Sequence, residues 1–248
     1  MKIGQNTRAI VTGGASGLGG AVVAALLERD ASVTVFDLSA GPSAATHREV
    51  DVTDAAAVAR AMVEARDAMG GLDLLVNCAG IAPGARTVGR QGAHDAALFA
   101  KVVQVNLIGS FNCASQAAAL MSENEAVGRD GERGVIVHTA SIAAWEGQIG
   151  QVAYAASKAG IVGMTLPMAR DLAGLGIRVC AIAPGLFLTP MMQGLPEDVQ
   201  ASLGGQTPFP QRLGDPAEFA ALALHVAENP MLNGEVIRLD GAIRLPPR

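Results

Sequence analysis

Residues 8–30 read RAIVTGGASGLGGAVVAALLERD. RAIVT is a short β-branched run of strand character, and GLGGAVVAALLERD (17–30) carries apolar residues at helical spacing. Between them, TGGASGLGG (12–20) does not fit G-x-G-x-x-G, because the position three on from Gly19 is Val22. It does fit T-G-x-x-x-G-x-G, through Gly13, Gly17 and Gly19. Glycines let a chain turn tightly and approach a pyrophosphate, and the following helix offers free N–H groups and the positive end of its dipole. Gly13, Ser16, Gly17, Leu18 and Gly19 are therefore candidate phosphate contacts. A glycine-rich loop alone can be an ordinary turn; its place between a first strand and an apolar helix favours a nucleotide.

Outward from this unit the alternation continues. SVTVFD (32–37), REVDV (48–52), LDLLVN (72–77), GVIVHTAS (134–141), IRVCAIAPG (177–185) and GEVIRLDG (234–241) read as strands. Helical patterns cover 54–70 with Asp54 as N-cap, about 94–123, 151–175 with a kink expected at Pro167, and 216–229. Such alternation implies right-handed βαβ crossovers. The expected architecture is α/β, a single-domain Rossmann-like doubly wound parallel sheet over 1–248, with about seven strands and helices on both faces. Ligands in such sheets sit beyond the carboxyl ends of the strands. The second strand ends at Asp37, where an acid can accept hydrogen bonds from both hydroxyls of an adenosine ribose and would repel a 2′-phosphate. No arginine or lysine lies at 13–20 or 38–47, so NAD is favoured over NADP. Asp37 beginning a plain turn is the alternative.

Composition narrows the classes. The chain has 248 residues, half of them apolar, with a net charge of −5. That suits one well-buried domain and leaves no basic footprint for nucleic acid or anionic lipid. The uncharged run 179–196 is broken by three prolines and two glycines and is a poor membrane span. A strand-like segment begins within ten residues of the start, so no signal peptide is expected, and a cytoplasmic protein is. Cys78, Cys113 and Cys180 are spaced as buried free thiols. His47, His94, His138 and His225 show no metal-ligand spacing, and His138, in an apolar strand, is expected to be a satisfied core residue. No catalytic metal is expected.

YAASK (154–158) holds the only tyrosine of the chain and one of its three lysines. On a helix, Tyr154 and Lys158 share a face. A free tyrosine has a pKa of about 10, so general-base work near pH 7 needs a shift of roughly three units, about 4 kcal/mol. One cation ~4 Å away gives about 1 kcal/mol in water and about 4 at an effective dielectric of 20. Lys158 could thus activate Tyr154, but only in a partly dry cleft. Taken alone, Y-x-x-x-K recurs by chance, and an exposed tyrosine with a solvated lysine would give the same letters.

T-G-x-x-x-G-x-G, N-C-A-G (77–80), V-N-L-I-G (105–109), Ser141, Y-A-A-S-K and P-G (184–185), in this order, resemble the short-chain dehydrogenase/reductase family. The match runs from Thr7 to about Gly241, with one departure at Cys78, where asparagine is commoner. The family transfers a hydride between nicotinamide and a carbonyl or alcohol. The resemblance implies Tyr154 as general acid/base, with Lys158 lowering its pKa and binding the nicotinamide ribose. It implies Ser141 on the substrate oxygen and Asn106 at a helix irregularity, anchoring a water in a proton relay. Asp51 and Val52 would flank the adenine. Asn77, Ala79 and Gly80 would line the cofactor path, and Pro184, Gly185, Phe187 and Thr189 would bracket the nicotinamide.

The segment of about 186–214 is expected to close over the substrate, with Leu188, Met191, Met192 and Leu195 joining Ser141, Trp145, Gln148 and Tyr154 around it. S-F-N-C-A-S-Q, V-I-V-H-T-A-S-I-A-A-W-E-G-Q-I-G-Q, A-P-G-L-F-L-T-P-M-M and N-G-E-V-I-R-L-D-G-A-I-R are more closely similar to the type 2 3-hydroxyacyl-CoA dehydrogenases, also described as a 17β-hydroxysteroid dehydrogenase type. That similarity implies NAD-dependent oxidation of an (S)-3-hydroxyacyl-CoA. It also implies a homotetramer in which helix 216–229 meets another copy. A hydroxysteroid or small-alcohol dehydrogenase, a 3-oxoacyl reductase and a non-catalytic NAD sensor on the same fold remain alternatives.

Overall fold

In the computed structural model, which describes residues 1–41, 44–90, 92–194 and 196–247, the alternation closes into one parallel sheet. The chain runs β1 (Arg8–Thr12), α1 (Gly17–Leu27), β2 (Ser32–Asp37), β3 (Thr46–Glu49), α2 (Ala55–Met69) and β4 (Leu74–Asn77). A small hairpin, β5 (Val88–Gly89) and β6 (Gly92–Ala93), leads to α3 (Ala96–Val103), a π-helical turn (Gln104–Ile108) and α4 (Gly109–Ser122). Then come β7 (Gly134–Thr139), α5 (Ala143–Glu146), α6 (Val152–Ala173), β8 (Ile177–Pro184), α7 (Pro190–Gln193), α8 (Glu197–Gly204), α9 (Pro216–Glu228) and β9 (Val236–Leu239). The seven-stranded order is β3-β2-β1-β4-β7-β8-β9, every pair parallel. The order reverses between β1 and β4, which opens a crevice at their carboxyl ends, just after Thr12 and Asn77.

Alternation along each strand sorts the core into two layers. Val11, Val35, Val76 and Val137 face α1 and α9 with Val22, Leu26, Phe219 and Leu224. Ile10, Phe36, Leu75 and Ile136 face the other way, onto Val58, Met62, Cys113 and Met121 of α2 and α4. A one-residue slip of any central strand would exchange its two faces, so burial on both sides fixes the register. Asp54 caps α2 as expected, accepting from Ala56 N and Ala57 N at 2.9 Å, and Gly70 ends that helix at φ +74°.

Four expectations change. The third strand is Thr46–Glu49 rather than 48–52, because β2 stops at Asp37, opposite Glu49, and offers no ladder beyond. Asp51 and Val52 therefore fall past the carboxyl end of β3. Helix α6 runs unbroken through Pro167, which sits on its exposed face one turn after exposed Gly163. His138 is fully buried but only half satisfied. Its Nδ1 accepts from Asn77 Nδ2 at 3.2 Å, which leaves the hydrogen on Nε2, and Nε2 has no partner among the described residues. Burial and then the Lys158 charge push this imidazole down to about 4. Finally, α9 does not keep its apolar face for another copy: Phe219, Ala223 and Leu224 are buried inside the chain, in the layer shared with α1.

Cys113 and Cys180 are buried, whereas Cys78 is half-buried, against Thr139 Oγ1 at 3.5 Å. The stretch 96–122 is, by length and composition, apolar enough to cross a membrane. Here one of its faces, with Val102, Cys113, Ala117 and Met121, is buried against the core, while Phe99, Ile108 and Phe111 are exposed.

Candidate active site

The glycine loop is shaped by contact with its neighbours. Gly13 has φ +64°, and a Cβ there would lie 2.6 Å from Ala79 N. A Cβ on Gly19 would lie 2.3 Å from Gly13 O. These two glycines let β1, the loop and the first turn of α1 collapse onto the end of β4. Gly17 faces the closing segment: Thr189 and Pro190 stand 3.6–3.9 Å from where its side chain would begin. Ser16 is exposed and its side chain caps nothing, so the N–H groups that open α1 are not taken by a side-chain cap. Gly19→Ala should therefore lower nucleotide affinity by at least about tenfold, read by calorimetric titration, since the loop must shift to admit the methyl.

Asp37, at the end of β2, accepts from Ala15 N at 3.1 Å through Oδ2 and from Ser39 N at 3.3 Å through Oδ1. Each oxygen retains a lone pair for a further donor. Arg48, just beyond the base-free window, is held by Glu64 at 2.5 Å. Asp51 is exposed and accepts from Thr53, while Val52 is buried under Gly109, and Asn112 Nδ2 donates to its carbonyl at 3.0 Å. The loop geometry, the uncapped helix start and the acid at the next strand end fit an adenine dinucleotide.

The acid/base residues converge at the ends of β4 and β7 and the start of α6. Ser141 follows β7, 7 % exposed, and Tyr154 stands on the first turn of α6 with its phenol near enough to Ser141 for that hydroxyl to favour its ionised form. Lys158 is buried one turn on, with Nζ 5.8 Å from the Tyr154 ring centroid and donating to Thr139 O at 2.7 Å. Asn106 is fully buried in the π-helical turn. Its Oδ1 accepts from Ile81 N at 2.8 Å, and its Nδ2 donates to Ile81 O at 2.9 Å and Ser157 Oγ at 3.0 Å. Gly80 is wedged beside Asn106 Oδ1 and Lys158 Nζ, at 3.2 and 3.8 Å from its would-be Cβ. A π-bulge is a costly turn that recurs at functional sites, and here it fastens Asn106 between the β4 loop and α6.

The model of the short chain dehydrogenase family matches residues 7–200. The chain is a short-chain dehydrogenase. It is 50% identical over 254 residues to the 3-hydroxyacyl-CoA dehydrogenase type-2 of Drosophila melanogaster, covering 98% of this chain and 99% of that one. It is 50% identical over 250 residues to the Homo sapiens protein of the same name, covering 96% of this chain and 95% of the relative. Among solved structures, 3-hydroxyacyl-CoA dehydrogenase type-2 from Mycobacterium avium superposes with a TM-score of 0.92 at 41% identity, covering 98% of both chains.

In this dehydrogenase the electrostatics differ from the simple picture of a lysine activating a tyrosine. Burial pushes Tyr154 above its ordinary value, and the Ser141 hydroxyl pulls the other way. Burial also lowers Lys158 itself, to about 8, and its ammonium is turned onto Thr139 O. The sign of the lysine's effect on stability follows. Its folded value lies below the ordinary 10.5, so the unfolded chain binds more protons between pH 8 and 10.5. The penalty is fully present below pH 8 and vanishes as pH rises through that window. It is about 3 kcal/mol, partly offset by the bond to Thr139. Lys158→Met should thus gain about 1–2 kcal/mol at pH 7 in urea unfolding, and the gain should shrink by pH 10.

The other expected contacts of the dehydrogenase are placed as follows. Asn77 is buried and spends its side chain on Ser110 O and His138, so toward the crevice it offers backbone. Ala79 N donates to Thr12 Oγ1 at 3.1 Å. The Phe187 ring turns into the core against Gly214, so toward the nicotinamide it is expected to bracket it offers backbone. Pro184 closes β8, and Gly185 N bonds Leu239 O. Leu188 is half-buried, and Met191 and Met192 sit on α7, while Leu195 lies outside the described residues. Trp145 is half exposed, and Gln148 Nε2 donates to Pro246 O. Sequence reading missed Thr12, Thr139 and Ser157. Thr12 joins the two strand-end loops, accepting from both Cys78 N and Ala79 N, and as the first letter of the glycine motif it was open to notice. Thr139 acts through its carbonyl, which no letter announces.

Proposed function

We propose that this dehydrogenase oxidises the secondary alcohol of an (S)-3-hydroxyacyl-CoA to the 3-oxoacyl-CoA with NAD. The observation that carries the chemistry is the convergence of Ser141, Tyr154 and buried Lys158, with Lys158 Nζ 5.8 Å from the Tyr154 ring centroid, at the carboxyl ends of the strands. Half identity with proteins named 3-hydroxyacyl-CoA dehydrogenase over nearly the whole chain supports the substrate class. NAD would supply the hydride acceptor and, in its oxidised form, a positive charge beside the phenol. Ser141 holds the substrate oxygen, and Tyr154 takes the alcohol proton as the carbonyl forms. Lys158 backs the phenol and reaches the ribose, and Asn106 stands behind it on the path of the proton to water. Asp37 selects NAD, binding the ribose hydroxyls and repelling a 2′-phosphate.

The test is a panel of 3-hydroxyacyl-CoAs of increasing chain length, a hydroxysteroid and a simple secondary alcohol, each with NAD and with NADP. The highest kcat/KM is expected for a 3-hydroxyacyl-CoA with NAD. A steroid or small alcohol far ahead of every thioester would overturn the substrate and leave the family.

We also infer a cytoplasmic homo-oligomer, a tetramer by similarity. On α9, expected to meet another copy, Ala217, Ala221 and His225 remain exposed. Phe111 and Leu175 are 51 and 42 % exposed and line a groove between α4 and α6. This face suits a second copy, and light scattering of the purified chain reads the state directly.

A further inference from the structure

Outside the reacting residues, four charged side chains from two distant stretches meet in one box. Arg238 on β9 donates Nη1 to Glu146 Oε1 at 2.9 Å and Nη2 to Glu146 Oε2 at 3.2 Å. Its Nε reaches Asp240 Oδ2 at 2.8 Å, and Nη2 also reaches Ile243 O at 3.2 Å. Arg244 closes the box, with Nη1 3.2 Å from Asp240 Oδ2 and Nε 3.4 Å from Glu146 Oε1. Leu245 N donates to Glu146 Oε2 at 3.1 Å. The Arg238 guanidinium lies 5.5 Å from the ring centroid of Trp145. The Glu146 and Asp240 side chains are only 19 and 9 % exposed. A bidentate, half-buried, charge-balanced box is stronger and more directional than a surface ion pair.

Its place matters more than its strength. Glu146 ends α5, the single turn that begins two residues after Ser141, and Ser141 Oγ accepts from Ala143 N at 3.1 Å. From Asp240 the tail runs back over that turn. Pro246 O accepts from Gln148 Nε2 at 3.2 Å, and Pro247 O from Ile149 N at 3.0 Å. Gln148, Ile149 and Pro247, joined by these bonds, form one wall of a groove of about 510 Å³ that is also lined by Arg86, Thr87 and Val88 and by Ala155, the residue after Tyr154 on α6. Arg238 fastens both halves of that wall, the 146–149 turn through Glu146 and the tail through Asp240 and Ile243 O.

We propose that Arg238 is a positioning residue for substrate recognition: bound to Glu146 and Asp240, it holds the C-terminal tail against the 146–149 turn and so sets one wall of the groove along which an acyl-CoA approaches the start of α6. The proposal rests on the acyl-CoA reading given above. It makes and breaks no bond, and its signature is a split between KM and kcat. Releasing the wall weakens ground-state binding, while Ser141, Tyr154 and Lys158 keep their own fastenings.

The experiment compares wild type with Arg238→Met, which keeps the stem without the fork, with Glu146→Gln, which opens the box from the other side, and with Arg238→Lys. Kinetics are measured with NAD and 3-hydroxybutyryl-CoA. Acrylamide quenching of Trp145, the only tryptophan of the chain, reads the wall without any substrate. Arg238→Met and Glu146→Gln are each expected to raise KM by about fivefold or more with kcat within about twofold, and to make Trp145 clearly more quenchable. Arg238→Lys should recover only part of the KM, since a lysine cannot make the fork. Wild-type KM and quenching in both variants, or a fall in kcat at unchanged KM, would overturn the proposal. If wild type oxidises no acyl-CoA, the functional reading fails on its own. The quenching, and the same kinetic split on whichever alcohol is oxidised, then decide the role of Arg238.

Discussion

Tyr154→Phe is expected to lower kcat by about 10²–10⁴-fold while leaving NAD affinity within a few-fold. The change removes one oxygen from a side chain that is otherwise held by packing on α6. It deletes the group that takes the alcohol proton and leaves the Ser141 bond from Ala143 N in place. The glycine loop, Asp37 and the Lys158–Thr139 bond are untouched, so the fold and the nucleotide site stay. Since burial holds the phenol above its ordinary value, wild-type oxidation should speed up from pH 7 toward pH 9 as the phenolate fraction grows. The residual rate of Tyr154→Phe should lack that rise. Steady-state rates across pH, beside calorimetric titration of NAD, separate the two effects. A variant that keeps a tenth or more of wild-type kcat would place the proton transfer elsewhere.

Asp37→Asn is the second large effect, and it falls on the choice of cofactor. The carboxylate is expected to take both ribose hydroxyls, and hydrogen bonds to a charged acceptor are worth about 1.5–3 kcal/mol. Removing the charge should cut kcat/KM for NAD by about 10–100-fold and lift that for NADP, by ending its repulsion of the 2′-phosphate. The NAD/NADP ratio should fall by about 10²-fold or more. Asparagine can still accept from Ala15 N, so the tie between β2 and the loop survives and the change reports on charge. A ratio that does not move would mean that Asp37 serves only that tie.

Much of this site could be read in the letters because its chemistry is local. Gly13, Gly17 and Gly19 lie in one loop, and Tyr154 and Lys158 lie one helical turn apart. The parallel sheet was equally legible, since its central strands are buried on both faces and read as continuous apolar runs. What the letters hid is of three kinds. The first is backbone: Thr139 O, not a side chain, holds Lys158, and β3 ends where β2 runs out of ladder. The second is short elements, the β5–β6 hairpin, α7 and α8, which are too brief to show a period. The third is distance. Glu146 and Arg238 are 92 residues apart, and no local pattern joins them. The π-turn at Asn106 came from family resemblance, as nothing in VNLIG itself demands an extra residue per turn. Helix α9 is ambiguous in the letters because an apolar face looks the same whether it meets α1 or another copy.

The central claim, that the Ser141–Tyr154–Lys158 site oxidises a 3-hydroxyacyl thioester with NAD, is tested most directly by one assay. Purified chain is mixed with NAD and (S)-3-hydroxybutyryl-CoA at alkaline pH, and NADH is followed by its absorbance. NADH should form at a rate proportional to enzyme, slow by at least about 10²-fold in Tyr154→Phe, and be all but absent when the (R)-thioester replaces the (S). No NADH from the (S)-thioester, while the same preparation readily reduces NAD with a steroid or a simple alcohol, would contradict the claim.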